Sequence, residues 1–454
     1  MTSRGWWAAL PEEHRTTGTG EGAPRAGRGP GFLTLGAEEE YLLVDPVSRR
    51  LRPDAEKVVA EAAAELGGRV TRELTRYQVE VRTEPHRDLA GFADEIRSLR
   101  RTVARAAARH GLALVSSGTP VLAQPVPTAF SDGARYARSV AEFGALDDEQ
   151  SVCACHVHIG IPDPDLALRV SNHLRARLPV LIALAANSPF WQGRDTGYAG
   201  WRTMTWARWP AAGPPPYLAS RAHFEDLVAE LAATGAVMDR SGLYWDIRPS
   251  HHVPTLEIRV ADAASSAEDT VLLAALVRAA AATALADIEA GRPPLRPSDE
   301  LLRAAYWRAA RDGLSGAGVD VRTGRLAPAT VLVERFLDDL RPDVLRRDDM
   351  AAVRTGWARL RAHGGGADRQ RAAYRSRHRL SDVVDHLIGA TTAPAPEHPR
   401  PEIPLPEGPR PKNPLPENPR PLGPHPEDPP PEGLLPQGLP TEDPPTEDPL
   451  PGRP

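Results

Sequence analysis

Five short segments constrain the fold of this chain more than any other feature, because each alternates apolar residues with acidic, histidine or arginine residues. The segments span residues 36–45, 77–82, 153–160, 244–248 and 255–260. Successive side chains of a β-strand point to opposite faces, so a period of two gives each segment an apolar face and a polar face. The pattern therefore predicts five strands, each with one face in the core.

The polar faces carry residue types that are common in catalytic sites. In chain order they hold Glu38 and Glu40, then Gln78, Glu80 and Arg82, then His156 and His158, then Asp246 and Arg248, and finally Glu257 and Arg259. Any one of these segments is also typical of an amphipathic strand with a solvated outer face. A solvated face usually contains Thr, Lys, Ser and Gln, whereas these faces consist almost entirely of Glu, His and Arg. Together they indicate a lined cavity.

The charges on these faces predict the ligands of the cavity. Lys57 and Lys412 are the only lysines in the sequence, so converging carboxylates would repel one another unless divalent cations neutralised them. Carboxylates with an imidazole suit Mg²⁺ or Mn²⁺. Arginines beside such ions are suited to bind the oxygens of a polyphosphate. The combination predicts a metal–nucleotide site, without the lysine of a P-loop.

Composition argues against several other classes of protein. A net charge of −5 does not favour a nucleic-acid binder. The alanine-rich stretch 271–288 predicts a helix inside the protein rather than a membrane span. Cys153 and Cys155 are expected to be buried and reduced rather than a disulfide or a zinc site. Together with an N-terminus that does not resemble a secretory signal, this indicates a cytoplasmic location.

The chain is expected to have three parts: a flexible leader over residues 1–31, a catalytic domain over 32–390 and a disordered tail over 391–454. The tail holds 24 of the 48 prolines, and so dense a set of prolines cannot build a hydrogen-bonded core. A docking role of the tail for partner domains is the alternative.

Periodicity and end signals predict helices within the domain. They are expected over residues 86–110, over 266–291 with a capping box of Ser266 and Asp269, and over 298–313. Residues 187–216 are rich in Gly, Pro, Trp and Arg without a clear period, which predicts a functional loop.

At these residues the chain resembles the type 2 glutamate–cysteine ligase family of bacterial carboxylate–amine ligases, which shares a core with glutamine synthetase. The resemblance covers about residues 35–375. Its most specific pieces are the segments 36–41, 156–158, 186–198, 244–250 and 255–260. It implies an α+β fold in which a curved antiparallel sheet forms an active-site funnel backed by helices. ATP and metals would enter from one end and glutamate from the other.

The resemblance also implies roles for individual residues. Glu38, Glu40 and Glu80 would bind one metal, and His156 and Glu257 a second. Arg259 would face the transferred phosphate, while Arg248 would serve the phosphates of ADP or the intermediate. Arg202, with Tyr198 beside it, would bind the substrate α-carboxylate, unless Arg202 only stabilises its loop. His158 would contact the nucleotide or pack beside a ligand, and Glu39 would point away.

The reaction implied is an ATP- and Mg²⁺-dependent joining of a carboxylate to an amine through an acyl phosphate, with glutamate and cysteine as the expected substrates. A metal-dependent hydrolase built on His156 and His158 is one alternative, and a non-catalytic binding protein on the same fold is another. The expected partners are small molecules rather than nucleic acid or membrane. The sequence leaves open the amine, the general base and the oligomeric state, including a homo-oligomer.

Overall fold

The computed structural model describes residues 33–394. The leader predicted over residues 1–31 and the tail beyond residue 394 lie outside the described residues. The α+β class predicted from the sequence is confirmed, because one antiparallel sheet is packed against a layer of helices.

The main sheet of the described region has seven strands in the order β2-β3-β1-β5-β9-β8, and β4 pairs with the end of β1. Two short hairpins, β6–β7 and β10–β11, lie outside it. The strand bounds are β1 (Leu35–Val44), β2 (Val70–Arg72), β3 (Gln78–Arg82), β4 (Ala113–Val115), β5 (Ala154–Gly160), β6 (Phe190–Trp191), β7 (Arg194–Asp195), β8 (Ile247–Pro249), β9 (Thr255–Asp262), β10 (Ala317–Asp320) and β11 (Arg325–Pro328). All pairs within the main sheet are antiparallel.

The helices surround this sheet, and the central one packs on its apolar face. Their bounds are α1 (Ala55–Leu66), α2 (Leu89–Arg109), α3 (Ala134–Phe143), α4 (Ala145–Asp148), α5 (Pro164–Arg175), α6 (Leu178–Ala185), α7 (Trp201–Trp206), α8 (Arg221–Ala233), α9 (Ala267–Glu289), α10 (Asp299–Asp312), α11 (Ala329–Asp338), α12 (Arg347–His363), α13 (Gly366–Arg377) and α14 (Leu380–Thr391). The main core joins α9 to the apolar residues of β5 and β9, such as Val157, Ile159 and Ile258. The opposite face of these strands is thereby left for the polar residues.

The strand register brings the polar residues of different strands side by side. Glu40 on β1 lies opposite Glu80 on β3, and Glu38 lies opposite His156 on β5. His158 in turn lies opposite Glu257 on β9. Because neighbouring strands are about 5 Å apart, residues that are distant in sequence meet on one face.

The predicted helices are found, and their caps explain their bounds. Ser266 caps α9 by accepting a hydrogen bond from Asp269 N at 3.3 Å, and Ser298 caps α10 through Leu301 N at 3.2 Å. The helix expected from residue 86 begins later, at Leu89, because the Asp88 carboxylate accepts from Gly91 N at 2.6 Å.

Helix α9 is long and apolar enough to cross a membrane by length and composition. However, 83% of its most apolar 18-residue window is buried inside the protein. It is therefore a core helix, as the sequence predicts. Cys153 and Cys155 are also buried and unbridged.

Two segments differ from their predicted structure. Residues 187–216 contain the β6–β7 hairpin and α7 rather than loop alone. The strand expected over 244–248 is reduced to β8, because Asp246 N donates instead to Gly213 O at 2.8 Å. The N–H of Asp246 is thereby bonded to the 187–216 segment, while its carbonyl oxygen still accepts from Arg259 N on β9.

Candidate active site

A cavity of about 830 Å³ lies over the polar face of the sheet. Polar residues from β1, β3, β5, β8 and β9 form its floor, and α3, α7 and the segment 241–254 form its walls. Nine of the ten residues to which the sequence assigned a role line it: Glu38, Glu40, Glu80, His156, His158, Arg202, Arg248, Glu257 and Arg259. The cavity that the alternating strands predict is therefore present.

Three carboxylates form the first group of candidate metal ligands, here called the carboxylate cluster. Glu40, Glu73 and Glu80 each place an oxygen within 4.8 Å of the others. Glu40 also accepts a hydrogen bond from Ala154 N at 2.9 Å, and Glu80 accepts one from Thr71 Oγ1 at 3.2 Å. These bonds hold two of the three carboxylates in place.

The electrostatics of the carboxylate cluster favour a bound cation. Burial, followed by the charge of Glu73, raises the pKa of Glu40 to about 8. Burial and then Glu38 and Glu73 raise the pKa of Glu80 well above its usual value. Three carboxyls this close, of which Glu40 is buried and the other two are half-buried, must either hold protons or share a cation. Since the donors are all oxygens, the cluster fits Mg²⁺ or Mn²⁺.

Glu38, His156 and Glu257 form a second group, here called the histidine cluster, also with one ligand atom each within 4.8 Å of the others. His156 Nδ1 lies 3.1 Å from Glu38 Oε2 and 3.9 Å from Glu257 Oε1. His156 Nε2 is buried without a hydrogen-bond partner in the described part of the chain. Burial, then the charge of Arg259, lowers the pKa of His156 to about 4, so its imidazole is neutral, the form that binds metals.

The grouping differs from the expected one. Glu38 was predicted to share a metal with Glu40 and Glu80, but its ligand atom groups with His156 and Glu257. The strand register is the reason, since Glu38 lies opposite His156 on β5 whereas Glu40 lies opposite Glu80 on β3. β1 thus contributes one carboxylate to each cluster.

Two arginines bind the carboxylate of Glu257. Arg248 Nε donates to Glu257 Oε2 at 2.9 Å, and Arg259 Nη1 donates to Glu257 Oε1. Burial opposes the charge of Glu257, but Arg248 and Arg259 outweigh it and lower the pKa well below its usual value. Arg259 Nε remains buried and without a partner among residues 33–394, so this guanidinium has capacity for a further acceptor.

A β-bulge sets the position of Arg259. Between the paired residues Cys155–Ala261 and Val157–Ile258, two residues of β9 oppose the single residue His156 of β5. Arg259 N is not part of the β5–β9 ladder and donates to Asp246 O at 2.7 Å, which continues the pairing of β9 with β8. Bulges of this kind redirect side chains beside active sites.

Arg202 and His158 lie at opposite ends of β9. Arg202 on α7 donates from Nη2 to Arg259 O at 3.1 Å and from Nη1 to Val260 O at 3.5 Å, near the end of the strand. His158 Nδ1 lies 2.9 Å from Thr255 Oγ1, at the start of the strand. Glu257 of the histidine cluster lies between these ends.

Two predicted positions need correction. Tyr198 does not line the cavity: its hydroxyl accepts from Trp307 Nε1 at 3.2 Å, and its ring packs on Trp201 and under Arg311. Asp246 is also absent from the lining. Its N–H donates to Gly213 O, although its carbonyl oxygen still accepts from Arg259 N on β9.

Glu73 is the metal-ligand candidate that the sequence did not indicate. It follows β2 directly and precedes the turn into β3, outside any alternating segment. The sequence signal for Glu73 was weak. It could have been found only by recognising residues 70–72 as a strand that pairs with residues 77–82. Glu39, by contrast, points away as expected, into a buried ion pair with Arg100.

The family model described as glutamate-cysteine ligase family 2 matches residues 34–386. The chain belongs to this family. A protein of Saccharopolyspora erythraea named "Putative glutamate--cysteine ligase 2-1" is 46% identical over 361 residues, which are 79% of this chain and 95% of the relative. A Frankia alni protein named "Putative glutamate--cysteine ligase 2-2" is 45% identical over 381 residues, 80% of this chain and 98% of that one.

Solved structures support the fold of this glutamate–cysteine ligase family member. The glutamate–cysteine ligase of Francisella tularensis in complex with AMP aligns with a TM-score of 0.60 at 12% identity, over 80% of this chain and 90% of that one. The bifunctional glutathione synthetase of Pasteurella multocida aligns with a TM-score of 0.57 at 14% identity, over 80% and 52%. At these identities the likeness shows the fold, and the resemblance found in the sequence is confirmed by the family match.

Proposed function

We propose that this member of the glutamate–cysteine ligase family joins the γ-carboxylate of glutamate to an amine, with cysteine as the expected amine, at the expense of ATP. The observation that carries the proposal is that two metal-competent clusters share a single cavity with Arg202, Arg248 and Arg259. A metal-dependent hydrolase does not need arginines beside its metal ligands, and neither does a binding site for one cation.

The carboxylate cluster and the histidine cluster would each hold a Mg²⁺ or Mn²⁺ ion, and these ions would neutralise the charge of the ATP phosphates. Glu257 is shared between the histidine cluster and the two arginines. When its oxygens bind a cation, Arg248 and Arg259 are freed for phosphate oxygens. The same carboxylate thus keeps both arginines in position in the protein without nucleotide.

The two ends of the cavity suit different substrates. Arg202, at the end of β9, is buried with its Nε lacking a partner within the described residues, and we assign it to the α-carboxylate of glutamate. Arg248 and Arg259 lie on either side of Glu257, where the γ-phosphate would be positioned. His158 and Thr255 lie at the other end of β9, to which we assign the nucleotide.

The chemistry consists of two displacements. A γ-carboxylate oxygen attacks the γ-phosphorus of ATP, the bond to the β–γ bridging oxygen breaks, and ADP leaves. Arg259 stabilises the charge on the equatorial oxygens during this step. The amine, once deprotonated, attacks the acyl carbon of the γ-glutamyl phosphate, and inorganic phosphate leaves. The protein supplies position and charge rather than a covalent intermediate.

Release of ADP tests this function against the alternatives. With ATP and Mg²⁺, steady-state ADP formation should require both glutamate and an amine, and it should match the γ-glutamyl product in amount. A metal-dependent hydrolase would turn over without ATP, and a binding protein would release no ADP. A panel of amino-acid carboxylates and amines should be tested. Turnover without ATP, or no ADP release with any member of the panel, would refute the proposal.

A further inference from the structure

Helix α7, which carries Arg202, begins without a capping side chain of its own. Its cap position is Gly200, so the first N–H groups of the helix need an acceptor from another part of the chain. Ser188 supplies it, because its Oγ accepts from Arg202 N at 3.0 Å and its carbonyl oxygen accepts from Trp201 N at 3.1 Å. The backbone of Arg202 is thus held by a serine that precedes the β6–β7 hairpin.

A buried carboxylate at the end of β9 holds Ser188 in turn. Asp262 Oδ2 accepts from Ser188 Oγ at 2.6 Å and from Asn187 N at 2.7 Å. Asp262 and Ser188 are both buried, and neither lines the cavity. Gly118 packs so closely on this carboxylate that a Cβ atom there would lie 2.7 Å from Asp262 Cγ. A continuous chain of hydrogen bonds therefore runs from Asp262 through Ser188 to the backbone of Arg202.

Arg202 is attached to β9 at both ends. Its guanidinium donates to the carbonyl oxygens of Arg259 and Val260, and its backbone reaches Asp262 through Ser188. Burial raises the pKa of Asp262, and the charge of Arg202 acts against that rise. In the described part of the chain, however, the guanidinium of Arg202 bonds to neutral carbonyl oxygens and forms no ion pair. Its positive charge is thereby left for a ligand.

We propose that Ser188, held in place by Asp262, positions Arg202 for the α-carboxylate of glutamate. The inference rests on the assignment of Arg202 under the proposed function, and it adds a residue that lies outside the cavity lining. A two-pronged contact to a carboxylate needs a set direction of the guanidinium plane, so a shift of α7 should weaken glutamate binding. The metal clusters lie on other elements than α7, so ATP binding should not change.

The substitution Ser188→Ala tests this positioning role, with Ser117→Ala as the matched control. Ser117 is equally buried, and its hydroxyl also takes part in two hydrogen bonds: it donates to Asn187 O at 3.0 Å and accepts from Gln370 Nε2 at 3.3 Å. Both variants lose one buried hydroxyl, so their melting temperatures should fall by similar amounts. With hydroxylamine as the amine, Ser188→Ala alone should raise the KM for glutamate about 10-fold. The kcat and the KM for ATP should stay the same in both variants.

A second substitution shows whether Ser188 acts through Arg202. Arg202→Lys should itself raise the KM for glutamate, because an ammonium cannot make the two-pronged contact to a carboxylate. Adding Ser188→Ala to Arg202→Lys should then change the KM by less than about twofold, since the effects of residues that act as a unit do not add.

An unchanged KM for glutamate in Ser188→Ala would overturn the positioning role, and so would an equal rise in Ser117→Ala. A rise on the Arg202→Lys background as large as the rise in the unmodified enzyme would also overturn it. If Arg202→Lys leaves the KM for glutamate unchanged, the assignment of Arg202 fails together with this inference. If the unmodified enzyme forms no glutamyl hydroxamate at all, the ligase function itself is refuted.

Discussion

Replacing Glu40 by glutamine should stabilise the metal-free protein at pH 8 and change its stability little at pH 5. Glu40 is 8% exposed, lies within the carboxylate cluster and has a pKa raised from 4.5 to about 8 by burial and by Glu73. The pKa of Glu40 is higher in the folded protein than in the unfolded chain. Its contribution to the free energy of unfolding is therefore fully present below pH 4.5, where Glu40 is protonated in both states. It is lost progressively as the pH rises from 4.5 to about 8.

The size of the effect follows from this shift. One pKa unit corresponds to about 1.4 kcal/mol. The shift of Glu40 can therefore lower the free energy of unfolding by at most about 5 kcal/mol at pH 8. Glu40, Glu73 and Glu80 share their protons, so a single substitution should recover about half of this, or about 2 kcal/mol. At pH 5 the same reasoning leaves less than about 1 kcal/mol. The gain at pH 8 corresponds to a rise of a few degrees in melting temperature.

Thermal unfolding in EDTA at pH 5 and pH 8 measures this difference, and Glu39→Gln is the control. Glu39 is adjacent in sequence but forms a buried ion pair with Arg100, with Glu39 Oε2 3.1 Å from Arg100 Nε. Breaking that pair should cost about 3–5 kcal/mol at both pH values. If Glu40→Gln destabilises the protein as Glu39→Gln does, or acts equally at both pH values, burial and Glu73 do not raise the pKa of Glu40 as described.

Two further substitutions test the assigned roles. His156→Asn should weaken Mg²⁺-dependent nucleotide binding in calorimetry by about 10- to 100-fold, and unchanged binding would remove His156 from the site. Arg259→Lys should slow formation of glutamyl hydroxamate on the order of 10²-fold, because an ammonium cannot make the two-pronged contact to phosphate oxygens. Arg82→Lys, at the cavity edge where Arg82 donates to Gly68 O, is its control, and equal rates for the two variants would contradict the role of Arg259.

The sequence predicted the floor of the cavity well because its physical cause is local. In β1, β3, β5 and β9 the period of two decides which side chains face the core, and burial of the apolar face enforces it. Glu38, Glu40, Glu80 and His156 could therefore be placed without knowledge of the topology. Helices α9 and α10 were equally predictable, because Ser266 and Ser298 are caps within their own turns.

The features that the sequence did not predict depend on contacts between distant segments. The partition of ligands into two clusters is set by the register of β1 with β3 and β5, which periodicity does not contain. The N–H of Asp246 bonds to Gly213 O, more than thirty positions earlier, while its carbonyl oxygen stays bonded to β9. Tyr198 packs with Trp307 of α10 rather than in the cavity.

Transfer of isotope from glutamate to phosphate tests the central claim most directly. With glutamate labelled with ¹⁸O in its γ-carboxylate, attack on the γ-phosphorus of ATP leaves one labelled oxygen bonded to that phosphorus. The released inorganic phosphate should then carry one ¹⁸O for each amide formed, as measured by mass spectrometry. Unlabelled phosphate, or label recovered in AMP instead, would contradict activation of the carboxylate through an acyl phosphate.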